Sequence, residues 1–307
     1  MTNEALTFEQ WSHERAKHFE WYADHRLPAV GQMPARLVGA MRYALLGGGK
    51  RVRALLCYAA GMVSQAEHEA LDAAALALES IHAYSLVHDD MPAMDNDTLR
   101  RGKPTVHVQY GEAMALLAGD ALQTQAFEAL DTPALNVATQ ARLMATLARA
   151  AGVRGMCGGQ ALDLAMVGTH PTVEALERMQ ALKTGALIRA AVLMGAQAGH
   201  WETLSNTTRA SLVIYADRLG VAFQVVDDIL DCTQDSATLG KTAGKDEKDD
   251  KPTWVSLLGL EQAKAHAQTL HEEALNALKA IEDDPAVTAG STQRLAQIAD
   301  YVVLRNY

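Results

Sequence analysis

The chain has 307 residues, of which 49% are hydrophobic and only 5% are aromatic. Its formal net charge of −10 argues against nucleic acid as a partner, because such proteins carry basic surfaces. Alanine and leucine fill most of the apolar positions, which favours close-packed helices over sheets.

The cysteines and the N-terminus indicate a compartment. Cys57, Cys157 and Cys232 are widely spaced and lie in apolar helical context, so we predict free, buried thiols in a reducing environment. No secretory signal is visible, and no apolar run approaches the roughly 18 residues of a membrane span. No basic amphipathic helix stands out either. We therefore expect a cytoplasmic protein without stable membrane association.

Helical periodicity runs through nearly the whole chain. Thr7 and Gln10 have the spacing of a capping box, so a first helix is predicted to begin there and to end before Pro28. A helix over residues 67–88 is apolar almost all round, which predicts a position at the centre of a bundle. Another helix is predicted to begin at Pro34. Further helices are predicted over residues 51–63, 111–130, 136–150, 153–166, 173–198, 207–220 and 221–233. Two more are predicted after residue 252.

The remaining segments predict loops rather than strands. Residues 96–104 are polar, and residues 234–252 are charged and contain glycine, which indicates a mobile surface loop. No alternating β pattern of useful length and no linker interrupts the helical pattern. The sequence therefore predicts one all-α domain over residues 1–307.

An acidic cluster follows the apolar helix over residues 67–88. Asp89, Asp90 and Asp95 lie at its C-terminal end, which is already the negative end of the helix dipole. Pro92 breaks the helix there, and the resulting bend would bring Asp95 back toward Asp89. Without a cation this arrangement is destabilising, and clustered oxygen ligands suit Mg²⁺.

A second acidic cluster lies near the end of another apolar helix. Asp227 and Asp231 are four residues apart on one face, and Asp228 adjoins them. Like charges at this spacing repel each other, which again indicates a cation. Alone, the pattern is also typical of an acidic surface helix.

Basic residues accompany both clusters. The segment over residues 47–53 reads GGGKRVR and places Lys50 and Arg53 in the first turn of a helix, where free N–H groups favour an anion. Arg100 and Arg101 follow the first acidic cluster. A glycine helix cap with solvated charges would explain the first segment alone. Together, the acids and bases predict a site for a diphosphate bridged by Mg²⁺.

These motifs resemble those of a known family, the trans-type polyprenyl diphosphate synthases, and more narrowly its bacterial members that make farnesyl diphosphate. The likeness runs from about residue 35 to the C-terminus. It rests on GGGKRVR at 47–53, HAYSLVHDDMPAMDNDTLRRGKPTVH at 82–107, AGDALQTQAF at 118–127, GMCGGQALDL at 155–164, KTGALIRAAV at 183–192 and AFQVVDDILD at 222–231.

The resemblance implies an orthogonal helical bundle around a central substrate cavity. It also implies a homodimer that condenses isopentenyl diphosphate with an allylic diphosphate. Three Mg²⁺ ions are implied for each active site, with Mn²⁺ as a substitute. The metal ligands would be Asp89, Asp90, Asp95, Asp227, Asp228 and Asp231.

The resemblance also implies roles for the other site residues. Isopentenyl diphosphate would bind Lys50, Arg53, His82 and Arg101. The allylic diphosphate site would comprise Arg100, Lys183, Thr184, Gln224, Lys241 and Lys251. The residues directly involved in catalysis would be Asp89, Asp90, Asp95, Arg100, Lys183 and Asp227.

Two positions bear on details that the resemblance leaves open. Asp250 and Pro252 flank Lys251 where the bacterial enzymes usually have glycine and serine or alanine, which puts the role of this lysine in doubt. Tyr84 and Ser85 lie more than one helical turn before Asp89, so they would set the length of the product.

Alternative functions also stay open at this stage. The same chemistry would give geranyl or geranylgeranyl diphosphate if the cavity stopped elsewhere. A non-catalytic subunit of a prenyl synthase would be expected to lack one acidic cluster, whereas here both are intact. A terpene cyclase would have no use for the second set of basic residues. A metal-binding helical scaffold would explain the acids alone.

Overall fold

The computed structural model describes residues 6–233 and 251–304, and these fold as a helical bundle. The predicted all-α class is confirmed. The α-helices are α1 (Phe8–Arg26), α2 (Ala35–Leu45), α3 (Val52–Val63), α4 (His68–Asp89), α5 (Val106–Tyr110), α6 (Glu112–Glu128), α7 (Val137–Ala151), α8 (Met156–Met166), α9 (Val173–Gln180), α10 (Ala186–Gln197), α11 (Asn206–Thr233), α12 (Trp254–Leu258), α13 (Leu260–Glu282) and α14 (Gln293–Val303).

Local signals decide where the first helix begins and ends. The Thr7 side chain accepts a hydrogen bond from the Gln10 backbone N–H, and the Gln10 side chain accepts one from Thr7 N, which confirms the predicted capping box. The helix ends at Arg26, before Pro28, as expected. Helix α3 begins directly after Arg51, whose backbone is left-handed with φ 49°.

Helix α4 is the central element of the bundle, as its apolar character predicts. It packs against α3, α6 and α10, and most of its residues are buried. It is the one described helix with the length and hydropathy of a membrane span, yet 83% of that window is inside the protein. Burial among other helices accounts for its composition.

The second half of the chain closes the bundle around α11. This helix packs along α13 and against α10, and α10 also packs against α3. Buried residues of nearly all the described helices belong to one hydrophobic core. The extent of the predicted domain over residues 1–307 stays a prediction.

Several boundaries differ from the sequence prediction. Residues 207–220 and 221–233, predicted as two helices, form the single helix α11. The predicted helix over 173–198 is interrupted by a π-helical turn, Ala181–Gly185, between α9 and α10. The predicted loop over 96–104 contains a two-residue antiparallel pair, β1 (Leu99–Arg100) with β2 (Lys103–Pro104). Three helices, not two, follow residue 252.

The predicted burial of the cysteines is right for only one of the three. All three thiols are free, and Cys57 is buried, whereas Cys157 and Cys232 are exposed. Burial raises the pKa of the Cys57 thiol and keeps it neutral. The apolar context of a helix does not reveal which of its faces points to the core.

Asp284 fixes the start of α11 to the end of α13. Its carboxylate accepts hydrogen bonds from the Thr208 hydroxyl at 2.6 Å, from Ser205 N at 2.9 Å and from Ala286 N at 3.0 Å. These hydrogen bonds, that of Thr208 first, hold the pKa of Asp284 well below its ordinary value. Their stabilisation is therefore present above the pKa of an unfolded aspartate, about 3.9, and fades as the pH falls below it.

We expect Asp284→Asn to lower the midpoint of thermal unfolding at pH 7, since the amide offers one oxygen where the carboxylate offers two. The deficit relative to the wild type should shrink when both proteins are compared at about pH 3. Calorimetry at the two pH values measures this. A deficit of equal size at both would contradict the proposed charge dependence.

Candidate active site

The first acidic cluster is held together by the backbone that follows α4. Asp95 N donates to the Asp89 carbonyl at 2.8 Å, and Asp97 N donates to the Asp90 carbonyl at 3.1 Å. The chain therefore turns back at Met91 and Pro92, and the expected return of Asp95 to the helix end is confirmed. This turn brings the cluster together at the C-terminus of α4.

The carboxylate of Asp89 is in an unfavourable environment for a negative charge. Burial raises its pKa to about 6, with Lys183 acting in the opposite direction and Asp95 adding repulsion. Burial also raises the pKa of Asp90, which the guanidinium of Arg100 counteracts. Desolvated, mutually repelling carboxylates of this kind attract a cation.

Arg100 pairs with the buried member of the cluster. Its Nε lies 2.8 Å and its Nη2 2.6 Å from the carboxylate oxygens of Asp90, which is only 2% exposed. The pairing raises the pKa of Arg100 in spite of burial. The short β1–β2 pair carries Arg100 to this position.

Two lysines approach the same cluster from other parts of the chain. Lys251 Nζ lies 3.1 Å from the Asp95 carboxylate. Lys183 Nζ lies 2.6 Å from the carboxylate of Asp163 on α8 and is close enough to lower the pKa of Asp89. Helix α8 reaches Lys183 because Gly159 leaves room: a Cβ there would lie 2.1 Å from Lys183 N. Lys241, also predicted here, lies outside the described residues.

The loop before α3 forms the basic wall of the site. Gly49 has φ 127°, and the guanidinium of Arg101 lies where its Cβ would be, so only glycine fits. An Arg101 N–H donates to the Gly48 carbonyl. Lys50 is exposed on the same loop. The two loops are thereby held side by side.

Arg51 anchors this loop from beneath. It is 5% exposed and donates to Glu20 at 2.8 Å, to Glu79 at 3.1 Å and to the Leu45 carbonyl at 2.6 Å. Glu79 also accepts from Ala54 N at 3.2 Å, in the first turn of α3. A buried ion pair with several hydrogen bonds is a rigid support for the residues that follow it.

Arg53 and His82 face the same region from α3 and α4. Burial lowers the pKa of Arg53, while Glu79 and Asp227 stabilise its charge and Arg101 opposes it. Its Nε is buried without a hydrogen-bond partner. Burial, followed by Arg53 and Arg101, lowers the pKa of His82 well below its ordinary value, so the imidazole is neutral. A buried donor without a partner, close to other cationic side chains, suits an anionic ligand.

The second acidic cluster lies near the end of α11 and faces two directions. Asp227 is half-buried and acts on Arg53, which places it opposite the basic wall. Asp228 is buried and accepts hydrogen bonds from Trp254 N at 2.9 Å and from the Gln180 side chain at 3.4 Å. Asp231 is also buried. Asp228 therefore supports the packing of α12, whatever else it binds.

The hydroxyl of Thr184 donates to Oε1 of Gln224 at 2.7 Å, which joins the π-helical turn to α11. Both side chains are half-buried, as is the neighbouring Lys183. The predicted role of Thr184 and Gln224 in the allylic diphosphate site stays a prediction. Thr184 lies beside Lys183, and Gln224 lies on the helix that carries the second acidic cluster.

Tyr84 and Ser85 lie deeper along α4 than Asp89. Tyr84 is 6% exposed, its hydroxyl lies 3.4 Å from Cys157 Sγ on α8, and its ring makes an edge contact with His88. Ser85 donates to the His82 carbonyl at 2.9 Å and is half-buried. The aromatic ring therefore fills the space between α4 and α8.

Sequence reasoning missed two residues of α8. Asp163 neutralises Lys183, and both polar ends of the Gln160 amide are buried without a partner. Cys157, Gln160 and Asp163 are three residues apart, so they share one helical face. A glutamine and an aspartate on one face of an otherwise apolar helix were the available signal.

The donor set fits magnesium better than a softer metal. The carboxylate oxygens near Asp89 are hard ligands, and buried carboxylates there repel one another. Within residues 6–233 and 251–304, no three His, Cys, Asp or Glu side chains are arranged to hold an ion by themselves. Mg²⁺ commonly takes one or two carboxylates and completes its shell with water and substrate phosphate.

Comparisons with known proteins agree with this geometry. The sequence profile of the family described as polyprenyl synthetase matches residues 34–288. Farnesyl diphosphate synthase of Escherichia coli (strain K12) is 48% identical over 276 residues, which cover 88% of this chain and 89% of that protein.

Solved structures share the fold as well. An FPP/GFPP synthase from Zymomonas mobilis, in its apo form, has a TM-score of 0.83 at 40% identity and covers 96% of this chain and 98% of its own. A geranyltransferase from Helicobacter pylori, complexed with magnesium and isoprenyl diphosphate, has a TM-score of 0.83 at 33% identity and covers 98% of this chain and 97% of its own.

Proposed function

The chain belongs to the polyprenyl synthetase family, and we propose that it elongates prenyl chains to farnesyl diphosphate. The substrates are isopentenyl diphosphate and an allylic partner, dimethylallyl or geranyl diphosphate. The E. coli relative, which is 48% identical to this chain, is named farnesyl diphosphate synthase. The chain is accordingly a transferase of isoprenoid biosynthesis.

One observation carries the proposal: two acidic clusters and two groups of cations surround the same space. Asp89, with Lys183 beside it, lies at the end of α4, and Asp227 acts on Arg53 across from it. Two separate cationic groups match two diphosphates. A metal-binding scaffold would have no use for the second group.

The allylic diphosphate is assigned to the side of Lys183, Arg100 and Lys251. As the carbon–oxygen bond of this substrate breaks, negative charge grows on the leaving diphosphate, and fixed cations stabilise it most at that moment. Arg100 is held by Asp90 and Lys251 by Asp95, so both are in place before the substrate binds. Preorganised charge needs no rearrangement during ionisation.

Isopentenyl diphosphate is assigned to Lys50, Arg53, His82 and Arg101. The unpaired Nε of Arg53 offers it a donor, and the neutral His82 adds a hydrogen bond without competing charge. The support of Arg51 beneath the loop fixes its orientation. The double bond then attacks the allylic cation at a set distance from the anchored head.

The allylic cation itself faces weak, oriented dipoles rather than nucleophiles. The Thr184 hydroxyl donates a hydrogen bond to Gln224, so the lone pairs of the hydroxyl oxygen remain available to stabilise positive charge. In the proposal, the released diphosphate accepts the final proton. Apolar helices around the site exclude water, which would quench the cation.

Magnesium completes this site in the proposal. The ligands would be Asp89, Asp90, Asp95, Asp227, Asp228 and Asp231, with three ions in each active site and Mn²⁺ as a substitute. When bound, the ions neutralise diphosphate charge as Lewis acids. The Helicobacter pylori relative, solved in complex with magnesium, supports the choice of metal.

The setting of the enzyme is also proposed. We propose a cytoplasmic homodimer without stable membrane association or nucleic acid. The three free cysteines fit a reducing compartment. Leu116 and Leu117, 49% and 45% exposed on α6, offer apolar surface to a second copy. Light scattering after size-exclusion chromatography tests the dimer.

The defining experiment is incubation with dimethylallyl and isopentenyl diphosphates, with Mg²⁺ and with EDTA, followed by chain-length analysis of the products. We expect farnesyl diphosphate with Mg²⁺ and no product with EDTA. Geranyl or geranylgeranyl diphosphate as the main product would keep the chemistry but overturn the chain length. Binding of both substrates without turnover would indicate a non-catalytic subunit.

The two diphosphate sites should be separable by mutation. We expect Arg53→Ala to raise KM for isopentenyl diphosphate more than for the allylic substrate, and Lys183→Ala to do the reverse. Each lost charge-assisted contact should cost about 1.5–3 kcal/mol. Steady-state kinetics with each substrate varied in turn measures both values.

Lys264→Ala is the matched control, because that lysine makes only a surface ion pair with Glu261. It should leave both KM values unchanged. Equal effects of Arg53→Ala and Lys183→Ala on the two substrates would refute the assignment.

A further inference from the structure

A second cavity lies outside the site described above. It is a groove of about 750 Å³ between α7, the segment from α9 to α10, and the first half of α11. This volume falls in the range, roughly 300–1,000 Å³, of pockets that bind small organic ligands. None of the residues predicted from sequence for the diphosphate site lines it. It is therefore separate from the diphosphate site.

The floor of this groove is apolar and its rim is basic. Its buried or half-buried apolar side chains include Ala150, Leu182, Ala190, Leu193 and Val221, whereas Val153 is 82% exposed. Five arginines line it as well: Arg149, Arg154, Arg178, Arg189 and Arg218. Glu177 and Asp217 are its two acidic residues. Such a positive concentration is unexpected in a chain with a net charge of −10.

Three of these arginines have charge to offer a ligand. Arg189 pairs with Asp217 at 3.2 Å, and Arg218 pairs with Glu273 at 2.6 Å. Arg149, Arg154 and Arg178, by contrast, take part in no ion pair within the described part of the chain. A site with apolar floor and free guanidinium groups matches a molecule with an anionic head and an apolar chain.

The groove and the reaction site share one structural element. Ala181, Leu182 and Gly185 of the π-helical turn line the groove, whereas Lys183 and Thr184 of the same turn face the reaction site. Single π-helical turns inside α-helices frequently occur at functional positions. A ligand against one side of this turn therefore presses on the element that positions Lys183 and Thr184.

We propose that the groove binds an amphipathic phosphate, with an apolar chain on the floor and the head on Arg149, Arg154 and Arg178. Its occupation shifts the π-helical turn and lowers turnover without blocking either substrate. The binding part of this inference is independent of the proposed function. The regulatory part rests on it.

Direct binding is measured first by calorimetry, with dodecyl phosphate below its aggregation limit and without substrates or Mg²⁺. The variant Arg149→Glu/Arg154→Glu should raise Kd at least tenfold. Arg142→Glu, on the same helix but outside the groove, should leave it unchanged. Inorganic phosphate and dodecanol should each bind far more weakly than the combined molecule, which separates head from chain.

A second comparison tests whether dodecyl phosphate binds in the reaction site instead of the groove. Arg53→Ala and Asp227→Ala should leave Kd for dodecyl phosphate unchanged. If they weaken binding and the groove variant does not, the probe occupies the reaction site and the proposal is overturned. If the groove variant keeps its Kd but changes a dimer into a monomer, the groove is an interface between copies, and the proposal is overturned as well.

The last measurement is the effect of dodecyl phosphate on enzyme turnover. With both substrates saturating, dodecyl phosphate should lower kcat of the wild type, and the groove variant should keep its full uninhibited kcat and resist the inhibitor. Inhibition relieved by excess substrate would contradict the coupling through the π-helical turn. Absence of all turnover, with tight groove binding intact, would instead refute only the proposed function.

Discussion

Asp89→Asn and Asp227→Asn are each expected to lower kcat by about 10²–10³-fold or more, because each removes a carboxylate that would hold the Mg²⁺ needed to neutralise the developing diphosphate anion. Asp89 on α4 lies beside Lys183 and Arg100, whereas Asp227 on α11 acts on Arg53, so in the proposal they hold metal ions from different sides of one site. Loss of either should therefore disable one common site. Steady-state kinetics at saturating substrate and Mg²⁺ measures the effect.

Although Asp89→Asn should lower kcat, we do not expect it to lower the stability of the folded protein. Its pKa in the folded protein is raised to about 6, so above that pH the ionised carboxylate destabilises the metal-free fold. Asn at this position removes the charge and should raise, or leave unchanged, the unfolding midpoint at pH 7 in EDTA. Calorimetry of the variant and the wild type side by side tests this.

A matched control separates the site from ordinary surface charge. Asp131→Asn changes an exposed aspartate between α6 and α7 and should affect neither kcat nor stability. Unchanged turnover in either Asp89→Asn or Asp227→Asn would refute the shared metal–diphosphate site. A collapse of stability in Asp89→Asn would show that the carboxylate serves the fold.

Short-range signals made much of this fold predictable. The Thr7–Gln10 capping box and the uniformly apolar α4 depend on residues close in sequence, and both predictions are confirmed. The turn at Pro92 follows from the missing backbone N–H of proline. It returns Asp95 to Asp89, as the sequence indicated.

Features set by distant contacts escaped the sequence. Asp163 meets Lys183 only because Gly159 lets α8 approach the π-helical turn. The turn itself has no local signature, and neither does the exposure of Cys157. The pairing of Arg100 with Asp90 likewise depends on the β1–β2 pair, which is too short to leave an alternating pattern.

We expect one side chain, that of Tyr84, to set the length of the product. Tyr84 precedes Asp89 by five residues, so at about 1.5 Å per residue it lies some 7.5 Å deeper along α4. A chain anchored by its diphosphate at Asp89 would grow toward this ring. The ring contacts Cys157 and His88, which hold it in place as the floor we propose for a farnesyl chain.

The opposing interpretation is that Tyr84 is an ordinary core residue. It is only 6% exposed, and Cys157 satisfies its hydroxyl. Two variants separate the interpretations. Tyr84→Ala removes the ring, whereas Tyr84→Phe keeps the ring and removes only the hydroxyl, with its contacts to Cys157 and Gln123. A floor requires the ring, and a purely structural role gives no reason for product length to change in either variant.

We expect Tyr84→Ala to shift the main product from C15 to C20 or longer, with a modest loss of rate, because an opened shaft admits a further isoprene unit. Tyr84→Phe should keep C15. Chromatography of the dephosphorylated products measures chain length, and thermal unfolding checks that the alanine variant, which loses up to about 3–5 kcal/mol, remains folded. Ser85, small and half-buried beside the ring, leaves the path open in the variant. A folded Tyr84→Ala protein that still stops at C15 would show that another residue ends the chain.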